Sequence, residues 1–155
     1  MTPYLVAGGV ALIVAIIGGV ATDVGTWYRD LTKPRWNPPD WVFAPAWTLI
    51  YALAVYAAGT AWETLSGSKR ILWVLLPFLL NAVLNAGWSV FFFSLKRPDW
   101  ALWEVAALWL STAGLCVSLL VLAPSAGVAL VPYLAWVSFA AFLNATIVRL
   151  NPVTR

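Results

Sequence analysis

The sequence predicts an all-α integral membrane protein, a single domain over residues 1–155 folded as a bundle of five transmembrane helices. Three observations carry this. Hydrophobic residues make up 63% of the chain and charged residues only 10%, too few charges to solvate the surface of an ordinary globular domain. Those charges are bunched, leaving residues 1–22, 41–62, 71–95 and 105–148 without any. Runs such as residues 71–80 are apolar on every side, whereas the strands of a membrane barrel alternate apolar and polar residues.

Crossing a bilayer takes about 20 helical residues, so each of the first three stretches holds one span. Helix one is expected over residues 3–22, because Met1-Thr2-Pro3-Tyr4 lacks the cationic region of a signal peptide. Its Ala7, Ala11, Ala15 and Gly19 recur every four residues, a stripe that lets another helix approach closely, within the bundle or in a second subunit. Helix two is expected over residues 41–65 and helix three over 71–95, bent at Pro77 by the missing backbone donor. The last stretch is long enough for two spans, 100–122 and 127–150. Ala123-Pro124-Ser125-Ala126-Gly127 divides them, since proline and glycine favour a turn.

Lysine and arginine mark cytosolic loops. Arg29, Lys33, Arg35, Lys96, Arg97, Arg149 and Arg155 share one side, against Lys69 and Arg70 on the other. The C-terminus is therefore expected in the cytosol and, with an odd number of spans, the N-terminus outside. The net charge of +3 is thereby a topology signal, and nucleic acid is not needed to explain it.

The same chemistry narrows function. The chain has no histidine, one cysteine (Cys116, in mid-helix four) and one methionine, Met1. The usual haem axial ligands, a histidine acid–base pair and a metal site are absent from the sequence, so no catalytic or metal-ligating residue is assigned. Glu104 lies about one turn into helix four near Lys96 and Arg97, where an interfacial ion pair is expected.

Most of the eleven tryptophans suit the membrane–water interface. Trp88, Trp109 and Trp136 do not: they lie well inside their spans, where an indole N–H needs a partner or a cavity. Asn81, Asn85 and Asn144 raise the same question, because a side-chain amide in hydrocarbon must bond to another helix or face a polar cavity. Depth counting at about 1.5 Å per residue puts three stripes in one leaflet: Trp47 and Tyr51 of helix two, Asn85 and Trp88 of helix three, and Trp136, Ala140 and Asn144 of helix five. Over them lies a loop, residues 23–40, that carries Tyr28, Trp36 and Pro38 among prolines and cations. Aromatic walls, a few amides and one small residue suit a flat apolar ligand. A packed aromatic core with no ligand is the competing reading.

Three blocks resemble the translocator protein family, also called tryptophan-rich sensory proteins or peripheral-type benzodiazepine receptors. They are Trp27-Tyr28-Arg29-Asp30-Leu31-Thr32-Lys33-Pro34-Arg35-Trp36-Asn37-Pro38-Pro39 with Trp41, Phe43, Pro45 and Trp47; Asn85-Ala86-Gly87-Trp88 through Phe91-Phe92; and Pro132-Tyr133-Leu134-Ala135-Trp136 with Leu143-Asn144. The resemblance implies a five-helix bundle, often a homodimer, in the lipid bilayer of a cell membrane, bacterial by expectation. It implies a pocket for porphyrins of the protoporphyrin IX class or another hydrophobic small molecule, lined here by Tyr28, Pro38, Trp47, Tyr51, Asn85, Trp88, Trp136 and Ala140, with Asn144 on the same stripe. The porphyrin is a ligand and no cofactor is expected, its propionates lying near Arg29, Lys33 or Arg35.

Two positions depart from the family pattern. Leu143-Asn144 is followed by Ala145 where animal members place a tyrosine, although Arg149 remains; this weighs against high-affinity cholesterol binding. A glycine pair used by some members to dimerise corresponds to Leu76 and Leu80, so a dimer would need another surface, such as Ala82 and Ala86. The resulting expectation is a receptor that senses, sequesters or transports a tetrapyrrole. Light-driven porphyrin breakdown through Trp47 and Trp136 and a sterol- or lipid-binding transporter are the alternatives.

Overall fold

The computed structural model describes residues 1–152; Arg155, counted above among the cytosolic charges, lies outside the described residues. Among the described residues, five helices are long and apolar enough to span a membrane: helix one Thr2–Ala21, helix two Asp40–Thr64, helix three Ser68–Ser94, helix four Pro98–Leu122 and helix five Pro124–Leu150. A short helix, Thr26–Asp30, interrupts the first loop. Proline opens helices four and five at their first position, where its missing N–H would have been unpaired anyway and its φ suits a helix.

The helices close into a ring through pairwise packing of one on two, two on five, five on four, four on three and three on one. Large apolar residues such as Leu12, Leu72, Val83, Leu110, Val121 and Phe142 face outward, as a hydrocarbon solvent permits. Interior positions recur at helical spacing along helix four, through Ala101, Val105, Leu108, Thr112, Leu115 and Leu119.

Helices four and five form the closest pair. The turn expected over residues 123–127 shrinks to Ala123 alone, and Pro124 starts the next helix. Gly127 makes this possible: a Cβ there would sit 2.3 Å from the Leu120 backbone nitrogen. The Cys116 thiol is buried beside it, 3.6 Å from the Gly127 carbonyl oxygen. At the other side of the ring, the Tyr4 ring occupies the space that a Cβ on Gly59 would need. Its hydroxyl donates to Glu63 Oε2 at 3.1 Å, joining helix one to helix two.

The alanine–glycine stripe of helix one faces inward, toward helices two and three, although it does not zip shut. Ala7 and Ala11 line one cavity, Ala15 and Gly19 another. Ala82, considered above for a dimer seam, also lines the first of these.

Helix three is wound wide at both ends, over Ile71–Leu75 and Val90–Ser94. The first widening covers the carbonyl of Trp73, four residues before Pro77, where the proline ring would collide with an ordinary turn. The second reduces the angle between successive side chains, so that Phe92 and Phe93 are both buried against Tyr28. Wide turns of this kind often accompany functional sites.

Glu104 departs from expectation. Arg97 pairs with Asp99 instead, through Nε at 2.8 Å and a terminal nitrogen at 2.5 Å. Both Glu104 carboxyl oxygens are buried without a hydrogen-bond partner among the described residues, close to where Gly87 of helix three leaves room.

Candidate functional site beneath the first loop

Amides and hydroxyls link four helices through the middle of the bundle. Tyr51 donates to Asn85 Oδ1 at 2.9 Å, and Asn85 Nδ2 donates to the Tyr133 hydroxyl at 2.9 Å. Tyr133 in turn donates to Asn81 Oδ1 at 2.8 Å. Asn81 Nδ2 donates to Ser111 and Thr112, at 3.2 and 3.0 Å, and Thr112 passes its own proton donor to the Leu108 carbonyl. A second link runs from Trp88 Nε1 to Asn144 Oδ1 at 3.1 Å and from Asn144 Nδ2 to the Pro98 carbonyl at 2.9 Å. Trp109, the other mid-span indole with a partner, donates to Ser138 Oγ at 2.7 Å. The three asparagines thus join helices, and Asn85 and Asn144 also wall a cavity beneath the first loop.

That cavity, about 430 Å³, lies between this network and the first loop. Seven of the nine expected residues line it: Tyr28, Trp47, Tyr51, Asn85, Trp88, Ala140 and Asn144. Trp136 stands one layer back, edge-on to Trp47 at 6.4 Å between ring centroids and packed on Phe43 and Phe139. Pro38 also lies off the wall. Sequence reasoning missed Phe43, Phe92, Phe93, Leu143 and Ile147, together with Ala15 and Gly19 of helix one. Phe43, Phe92 and Leu143 stand inside the blocks that carry the family resemblance, and the helix-one stripe has a spacing signal that reads equally well as a seam.

The loop closes the cavity by bridging opposite sides of the ring. Tyr28, 6% exposed, packs on Phe92 and Phe93 of helix three. Trp36 stacks on Phe142 of helix five, 5.1 Å between centroids and 15° from parallel. Burial pushes the Tyr28 phenol above its ordinary pKa, and the Asp40 charge adds to this.

Two of the three loop cations are occupied by the loop itself. Lys33 Nζ lies 4.2 Å above the Tyr28 ring and donates to the Tyr28 carbonyl, completing the end of the short helix. Arg29 Nε donates to the Val24 carbonyl at 3.2 Å. Among the described residues, Asp40 and not a cation is the charged residue in the cavity wall.

The TspO/MBR family model matches residues 7–150, a range that takes in the loop and the wall residues of all the contributing helices. The chain belongs to the TspO/MBR family. It is 35% identical over 150 residues to the tryptophan-rich protein TspO of Chlorobaculum tepidum, covering 93% of this chain and 92% of that one. Identity to the tryptophan-rich sensory protein of Cereibacter sphaeroides is 40% over 125 residues, covering 81% and 77%. The human translocator protein is 32% identical over 126 residues, covering 81% and 75%. Membership of the TspO/MBR family and five spanning helices make this an integral, multi-pass membrane protein, and support a receptor or sensor role.

Proposed function

We propose that this chain is a membrane receptor for a flat, apolar tetrapyrrole of the protoporphyrin IX class, which it senses, sequesters or passes on. The observation that carries the reading is the cavity itself: aromatic walls from helices two and three, the small Ala140 on helix five, and a buried loop tyrosine over its mouth. Such a ring would stack on Trp47, Tyr51 and Trp88. Its acidic substituents would turn to the loop, where Arg35 is exposed and Arg29 holds Val24 through Nε. Charge bias further supports the loop side as cytosolic. With no histidine and a thiol far from this wall, a metal-free porphyrin is preferred over haem.

Tryptophan-fluorescence titration of the purified protein with protoporphyrin IX tests this. Saturable quenching is expected, weakened strongly by Ala140→Phe, which fills the cavity, and unchanged by Trp73→Phe at the far end of helix three. Quenching that never saturates, or that Ala140→Phe leaves intact, overturns the proposal.

A further inference from the structure

A second cavity, about 350 Å³, lies in the half of the bundle away from the loop, enclosed by helices one, two and three. Its space comes from small residues on all three: Ala7 and Ala11, Ala54 and Ala58, and Ala82. The polar groups at its floor, Tyr51, Asn85, Asn81 and Tyr133, are bonded to one another and to helix four. A polar ligand would therefore lose its own hydration and find little in exchange. Water fares no better, since a buried water needs two to four polar partners.

The mouth of this cavity lies on the lipid-facing side. Val6, Leu75 and Leu79 at its rim are 60%, 39% and 42% exposed, all on spans that cross the hydrocarbon layer. A molecule already dissolved among lipid tails enters without passing through water. The most abundant such molecule in any bilayer is a lipid tail.

We propose that this second cavity is a binding site for one acyl chain of a bilayer phospholipid, with the headgroup left at the membrane surface near Thr2 and Pro3. The chain packs on the alanines and ends against the Tyr51–Asn85 pair. This site is separate from the tetrapyrrole reading and stands or falls without it.

The test is photolabelling in nanodiscs with a phosphatidylcholine carrying a diazirine in one acyl chain, followed by peptide mass spectrometry. Label is expected on Ala54, Ala58 or Phe78 inside the cavity as well as on outward residues such as Leu72 and Val83. Ala58→Leu and Ala82→Leu, on different helices, are each expected to lose the interior label and keep the outward one, which also shows that the variant is folded. Outward label alone in the unaltered protein overturns the proposal. So does interior label from a diazirine sterol that the phospholipid probe fails to match.

Discussion

Thr32 and Asn151, 119 residues apart, share two hydrogen bonds: the Thr32 N–H donates to Asn151 Oδ1 and Asn151 Nδ2 donates to the Thr32 carbonyl, both at 2.9 Å. The side-chain amide thus pairs with the loop backbone as a neighbouring strand would, and pins the loop to the end of helix five. Asn151→Ala removes both bonds, and with them the Asn151 Nδ2 bond to the Ile147 carbonyl at 2.8 Å at the end of helix five; each contributes about 0.5–1.5 kcal/mol. Proteolysis at the loop is expected to speed up several-fold and ligand release to quicken, with thermal stability of the bundle nearly unchanged. Equal loop protection in the variant would show that the aromatic contacts of Tyr28 and Trp36 suffice.

The central network predicts an ordering of stability losses. Tyr51→Phe removes one bond, to Asn85 Oδ1, and an interhelical hydrogen bond in a membrane averages about 0.6 kcal/mol. Tyr133→Phe deprives two partners at once, Asn81 and Asn85, and is expected to cost roughly twice as much on the same scale. Thermal unfolding in detergent measures both. A larger loss for Tyr51→Phe would contradict the two-partner role of Tyr133.

Glu104 supplies a stabilising substitution. Its two carboxyl oxygens are buried with no partner among the described residues, and an unmet buried polar group costs about 1–3 kcal/mol. Glu104→Leu should therefore raise the unfolding temperature, while Asp99→Leu, which breaks the Arg97 pair, should not. A fall in stability for Glu104→Leu would mean that the carboxyl is bonded in the membrane-embedded protein.

Tyr28 makes loop closure sensitive to strong alkali. Its pKa is raised above the ordinary 10.0 in the closed loop, so the closed state holds the phenolic proton more tightly than the open one. The resulting stabilisation is complete below the ordinary value and is lost as pH climbs through the raised one. Loop protection should be flat through neutral pH and fall beyond pH 10, and Tyr28→Phe should abolish that fall. A transition near neutrality that depended on Tyr28 would contradict this.

Much of this arrangement was legible in the chain because membrane burial obeys simple counting. Charge-free runs gave the five spans, and helical spacing put Trp47, Asn85, Trp88 and Ala140 on facing stripes. Spacing resolves a face, however, and not the depth behind it, which is why Trp136 was expected in the wall and stands behind Trp47. Spacing alone could not choose Phe43, Phe92 and Phe93, since a phenylalanine toward lipid and one toward a cavity look alike in an apolar run; Phe43 and Phe92 stood out only through the family blocks. The ion pair expected for Glu104 went to Asp99, two residues from Arg97 and able to meet it in a fork. Polar partners were the least visible: nothing in the spacing told that Tyr133 would stand between Asn81 and Asn85.

Tyr51 and Asn85 belong to the walls of both cavities. A molecule that shifts this pair from one side reshapes the wall on the other, and any such coupling is reciprocal by thermodynamic necessity. Affinity for a ligand under the loop then becomes a property of the surrounding membrane as well as of the protein. Two bilayers with different tail lengths or unsaturation would report two dissociation constants for one unchanged sequence.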